Sequence, residues 1–172
     1  ALRDFHFTAE DLEYLASAGA FHQEFLDYLA GFRFRGDLLA VDEGTVVFPN
    51  EPLVQVHASL IEAQFLESLL LNILNFQTLV ATKAARVWLA WGEGQILEFG
   101  MRRAHGVNGA LAASRAAYIG GASGTSNTLA GRLYGIPVRG TMAHSWVMSF
   151  ASELEAFQKY AEVYPDGCVL LI

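Results

Sequence analysis

From Gln95 onward the chain alternates between short apolar runs and helical segments, and this alternation restricts its fold more than any other feature. Ile96-Leu97-Glu98-Phe99 reads as a strand, residues 109–117 as an alanine-rich helix, and Tyr118-Ile119 as a short strand entering Gly120-Gly121. Residues 125–134 read as a helix closed by Gly135, and Pro137-Val138-Arg139 as a strand running into a turn at Gly140. A helix from Ser152 to Val163 stops at Pro165-Asp166-Gly167, and an apolar strand follows over 168–172. Four strands separated by three helices predict parallel pairing. None of the runs alternates polar with apolar, which predicts a sheet covered on both faces. Four strands are too few to close an eight-stranded barrel. Because the last run reaches the final residue, the sequence reads as an incomplete portion of a longer protein.

The preceding residues follow other rules. Thr8-Ala9-Glu10-Asp11 is a helix start: a hydroxyl cap followed by acids at the positive helix end. That helix is expected to reach Ala18 and stop at Gly19, with a second over 21–29 ending near Gly31. Residues 36–57 read as three antiparallel strands joined by turns at Asp42-Glu43-Gly44 and Pro49-Asn50-Glu51-Pro52. From Leu60 to Trp91 apolar residues recur at three and four: Ile61, Phe65, Leu69, Ile73, Phe76, Val80, Ala84 and Val87. This predicts one long buried helix, or two broken near residues 75–78. Glu62, Glu67, Asn72 and Asn75 would be costly in lipid and favour a buried helix over a membrane span. The expected organisation is an α+β domain over 1–60 with antiparallel strands, then an α/β domain over 61–172 with buried helices and four parallel strands.

Composition narrows the partners. Hydrophobic residues make up 53% of the chain and charged residues 17%, with a mean hydropathy of +0.29. Such a balance implies apolar surface meant to be covered by partner chains or further sequence. A net charge of −7 argues against nucleic acid as the main partner, since phosphate backbones need cationic surface. The single cysteine, Cys168, permits no internal disulfide, which suits a reducing, cytoplasmic setting.

Three polar segments fall where strands should end: Glu98–Ala104, Gly120–Asn127 and Gly140–Trp146. In a βα architecture these ends face one pocket. They would gather an aromatic ring, two guanidiniums, a glycine-rich hydroxyl loop and the imidazole of His144, a set suited to a flat, anionic, phosphate-bearing substrate. On residue chemistry alone, His144 reads first as a hydrogen-bonded strand-end histidine, Phe99 as core, and Arg102 and Arg103 as surface charges. His6, His22, His57 and His105 have no partners at metal-ligand spacing.

Five ordered stretches together resemble the nicotinate phosphoribosyltransferase family. They are Asn75-Phe-Gln-Thr-Leu-Val-Ala-Thr-Lys-Ala-Ala-Arg86, Glu98-Phe-Gly-Met-Arg-Arg-Ala104, Ala113-Ser-Arg-Ala-Ala-Tyr-Ile-Gly-Gly121, Gly124-Thr-Ser-Asn-Thr-Leu-Ala-Gly131 and Gly140-Thr-Met-Ala-His-Ser-Trp-Val-Met-Ser-Phe150. The resemblance implies an N-terminal α+β domain followed by the first half of an irregular α/β barrel with parallel strands. It implies a homodimer with active sites at the interface. It also implies synthesis of nicotinate mononucleotide from nicotinate and phosphoribosyl pyrophosphate in NAD biosynthesis, with magnesium and with ATP hydrolysis coupled through a phosphohistidine.

By the same resemblance, His144 is the phosphorylated histidine, Thr141 contacts nicotinate, and Phe99 stacks on its ring. Arg102 and Arg103 meet substrate phosphates. Ser126 and Asn127 lie where the related nicotinamide enzyme carries an aspartate, and neutrality there favours a carboxylate substrate. His105 stands where the family often has glutamine. The family's upstream aromatic cap and its downstream phosphoribosyl-binding half-barrel are not in this sequence, so the isolated piece is expected to be inactive. The alternatives are the sister reaction on nicotinamide and an inactive structural half-barrel.

Overall fold

Thr8 opens the first helix, α1 (Ala9–Ser17). Its hydroxyl accepts from the Asp11 amide at 3.2 Å, and the Asp11 carboxylate accepts from the Thr8 amide at 2.8 Å. Two amides that a helix start would leave unpaired are satisfied reciprocally. The computed structural model describes residues 4–170. Its contacts divide the chain into two units that part between Leu71 and Asn72.

In the first unit, α2 (Gln23–Ala30) buries Leu26 and Leu29. Phe32 follows it into the core, and Phe5, Phe7 and Phe65 meet its ring edge-on at 5.7, 5.8 and 5.1 Å between centroids. Aromatic packing therefore supplies much of this core. Two strands, β1 (Asp37–Ala40) and β2 (Val54–His57), pair antiparallel with Asp37 opposite His57 and Ala40 opposite Val54. The third strand expected between them does not form. One turn closes from Thr45 to Asp42, and another ties Phe48 to Glu51 through both backbone and side chain. These turns consume the segment, leaving Val46 and Phe48 exposed.

The helix α3 (Leu60–Trp91) is continuous, as one of the two sequence readings expects. By length and composition alone it would also suffice to cross a membrane. It is not the buried helix expected: Leu66 is its one fully buried residue, while Leu60, Leu79, Leu89 and Trp91 are well exposed. Apolar residues occur on all its faces, and each unit covers only a stripe. Phe65 packs in the aromatic core of the first unit, and Ala81 and Ala84 approach Gly120 in the second. The sequence-based boundary at residue 60 coincides with the start of α3, whereas the contacts part inside the helix.

The second unit is α/β. After α3 come β3 (Leu97–Glu98), a 3-10 turn (Met101–Arg103), α4 (Gly106–Ile119), β4 (Gly124–Thr125) and α5 (Thr128–Tyr134). Two further helices follow, α6 (His144–Val147) and α7 (Glu153–Val163). β3 pairs parallel with β4, and Thr125 of β4 forms a parallel bridge with Val138. The expected parallel order thus holds over shorter strands. Tyr118-Ile119 is not a strand: α4 continues through it, and the Gly120 amide still bonds to the Ala116 carbonyl. The strand begins only after the turn at Gly121, whose φ of 105° suits glycine. Residues 124–127 precede α5 rather than opening it, and Pro137-Val138-Arg139 contributes a single bridge. Residues 168–170 form no strand, and the rest of that expected strand lies outside the described residues.

Candidate active site

Parallel pairing sets three strand ends level. Glu98 pairs with Thr125, and Thr125 with Val138. The Ser126 amide donates to the Glu98 carbonyl at 3.0 Å, and the Arg139 amide donates to the Thr125 carbonyl at 3.0 Å. Phe99, Ser126 and Arg139 therefore leave the sheet at the same C-terminal edge, where open parallel sheets place their ligands.

Beneath that edge lies a polar cluster that sequence reasoning missed. The Glu98 carboxylate accepts from the Ser114 hydroxyl at 2.8 Å and from the Thr125 hydroxyl at 2.6 Å on Oε2. Its Oε1 accepts from the Gly100 amide. Thr125 Oγ1 also accepts from the Asn127 amide at 3.0 Å, and Asn127 Nδ2 approaches Ser114 Oγ at 3.4 Å. Ser114, Thr125 and Asn127 are all buried. The available signal was one carboxylate inside an apolar strand, with single hydroxyls in the small-residue stretches that follow.

The predicted site residues divide by exposure. Phe99 is exposed beyond β3, and Arg102 and Arg103 are exposed on the 3-10 turn, closed by the Arg103 amide donating to the Gly100 carbonyl at 2.8 Å. Ser126 is exposed at the end of β4. Asn127 is buried, and its Oδ1 accepts from the Ala130 amide at 3.2 Å as the cap of α5. Its side chain is thus engaged within the protein rather than presented at the edge. Thr141 is half-buried, and its hydroxyl donates to the Val169 carbonyl.

His144 does not end a strand; it is the exposed first residue of α6. That short helix is seated on α7, with Trp146 Nε1 donating to the Ala156 carbonyl at 3.3 Å, and the Trp146 ring lies tilted at 59° to that of Phe150, 4.8 Å between centroids. Met142, two residues earlier, is buried and pins the approach to His144. His144 is therefore exposed on an anchored segment.

A groove of about 220 Å³ lies nearby, lined by Val80, Lys83, Ala84, Val87, Ile96, Glu98, Ala117 and Ala122. It contains none of the predicted site residues. Among the described residues, no three His, Cys, Asp or Glu side chains cluster to hold a metal ion.

Residues 1–75 match the nicotinate phosphoribosyltransferase (NAPRTase) N-terminal domain, and residues 94–164 match the NAPRTase family. The chain is 51% identical over 170 residues to nicotinate phosphoribosyltransferase pncB2 of Mycobacterium tuberculosis, covering 99% of this chain and 37% of that protein. It is 50% identical over 171 residues to nicotinate phosphoribosyltransferase of Bacillus subtilis, covering 99% of this chain and 35% of that protein. The crystal structure of human nicotinic acid phosphoribosyltransferase superposes with a TM-score of 0.77 at 42% identity, covering 87% of this chain and 31% of that one. The chain spans little more than a third of the length of the curated relatives it matches. With both family regions matched in order on an α/β fold shared with a solved relative, the chain belongs to the nicotinate phosphoribosyltransferase family.

Proposed function

We propose that this chain supplies the N-terminal domain and the nicotinate-binding strand ends of a nicotinate phosphoribosyltransferase. The observation that carries the reading is the level edge at Glu98, Thr125 and Val138, which brings the Phe99–Arg103 segment and the Ser126 loop out side by side. In this reading Phe99 stacks on the pyridine ring. Arg102 and Arg103 meet phosphate oxygens with their guanidinium forks. Thr141 and the 126–127 loop border the carboxylate. The ring nitrogen of nicotinate bonds to the anomeric carbon of phosphoribosyl pyrophosphate, whose bond to pyrophosphate breaks.

His144 is the group that couples ATP. A neutral imidazole nitrogen attacks the γ-phosphoryl, ADP leaves, and the labile phosphoimidazole later passes its phosphoryl group to water. When bound, magnesium would neutralise substrate phosphate charge. The exposed apolar side chains of α3, among them Leu79, Leu89 and Trp91, are surface that a homodimer interface or further chain would cover. The same reading places the protein in the cytoplasm, without nucleic acid or membrane as partner.

A protein containing this sequence at the family's full length should form nicotinate mononucleotide from nicotinate and phosphoribosyl pyrophosphate. With γ-labelled ATP it should take up acid-labile label that a His144→Ala variant does not. Label in both proteins would remove His144 from the phosphoryl role, and absence of product would end the reading. Turnover by residues 1–172 alone would refute the claim that essential phosphoribosyl contacts lie elsewhere.

A further inference from the structure

We infer that Glu98 is a positioning residue, holding both strand-end segments of the nicotinate site in register without touching substrate; this deepens the nicotinate reading and rests on it. A carboxylate offers about four acceptor positions. Three donors from three different places occupy this one: the Gly100 amide just past β3, the Ser114 hydroxyl of α4 and the Thr125 hydroxyl of β4. Thr125 passes the connection on, because its oxygen accepts from the Asn127 amide, and Asn127 caps α5. One continuous run of hydrogen bonds thus links the Phe99–Arg103 segment to the Ser126–Asn127 loop.

Stability alone gives a weak reason for this arrangement. Burying the Ser114 and Thr125 hydroxyls and half-burying the Glu98 carboxylate carries a desolvation cost that apolar side chains of similar volume would not. A fully satisfied network adds a single defined geometry instead. The segments it defines carry Phe99, Arg102, Arg103 and Ser126, exposed at the edge. Small displacements there weaken the fit to a rigid aromatic acid.

The test compares wild type with Glu98→Gln in the full-length protein. Glutamine is nearly isosteric but offers one acceptor oxygen in place of two, so either the Gly100 amide or the hydroxyl pair loses its partner. The KM for nicotinate should rise about tenfold, with kcat changed less than about threefold and the KM for phosphoribosyl pyrophosphate unchanged. Ser114→Ala, which removes one donor, should raise the nicotinate KM about threefold. An unchanged nicotinate KM overturns the proposal even if the melting temperature falls, since a merely structural role lowers stability and leaves the folded enzyme's constants alone. Should Glu98→Gln not fold, Ser114→Ala decides by the same criterion.

If wild type shows no nicotinate turnover, the functional reading fails while the positioning claim is still decided by amide hydrogen exchange in the same variants. Faster exchange at both Gly100 and Asn127 supports the shared hold. A change at Gly100 alone, or at neither, overturns it.

Discussion

Gly131, inside α5, lies against Val138: a β-carbon on the glycine would overlap Val138 Cγ2 and stand 3.0 Å from the Ile136 carbonyl. The missing side chain lets α5 fold back onto the third parallel position. In an exposed helix, Gly→Ala would gain about 1 kcal/mol. Here the contact reverses the sign, and Gly131→Ala should destabilise by about 1–3 kcal/mol. Denaturant midpoints of the two proteins measure it, and an unchanged or raised midpoint would show that Val138 yields freely.

Ser126 and Asn127 should separate into different roles. Asn127→Ala removes the cap of α5 and the contact to Ser114, and should cost about 1 kcal/mol in thermal or chemical unfolding. Ser126 is exposed, so Ser126→Asp should leave stability nearly unchanged. It should shift preference from nicotinate towards nicotinamide, because a carboxylate there repels an acid substrate and not an amide. Competition between the two substrates reads this directly, and an unmoved ratio would withdraw Ser126 from the specificity assignment.

The start of α3 should report pH. Glu62 accepts from the Ser59 hydroxyl at 2.9 Å, the Ser59 amide at 3.2 Å and the Arg35 amide at 3.1 Å. The Ser59 hydroxyl chiefly holds its carboxyl below the ordinary glutamate range against a smaller opposing effect of desolvation, and the Arg35 and Ser59 amides add lesser lowering contributions. A carboxyl whose value falls on folding stabilises the native state above its unfolded value. That contribution is lost as pH drops through the folded value. Melting temperatures recorded from about pH 6 to about pH 3 should therefore fall less steeply for Glu62→Gln than for wild type. Parallel curves would refute the linkage.

Phe99 is 42% exposed, so its ring is poorly spent on the core. Phe99→Leu should change stability by no more than about 0.5 kcal/mol while raising the nicotinate KM about fivefold, in line with a lost ring-stacking contribution of about 1 kcal/mol. A large stability loss with an unchanged KM would return Phe99 to a packing role.

Local chemistry was legible where a few adjacent residues suffice. The Thr8 cap, helical structure over 60–91, though not its continuity, and the stop at Gly135, which takes a left-handed φ of 68°, each depend on neighbours within a turn or so. Short apolar runs were not decided that way. Tyr118-Ile119 suits a strand by composition, yet the helix ahead of it has buried Ala116 and Ala117 and simply continues. In the same way, the turns at 42–45 and 48–51 left too little chain between them for a third antiparallel strand.

By itself the sequence determined the alternation of elements, the parallel α/β class of its second part and the family to which its motifs belong, because spacing and motif order are written along one dimension. Tertiary structure decided which polar side chains reach the exposed strand edge and which face each other. Glu98, Ser114 and Thr125 are 16 and 27 positions apart along the chain, and their hydrogen bonds exist only once β3, α4 and β4 have packed. Ser114, Thr125 and Asn127 are buried there, and buried donors must find acceptors.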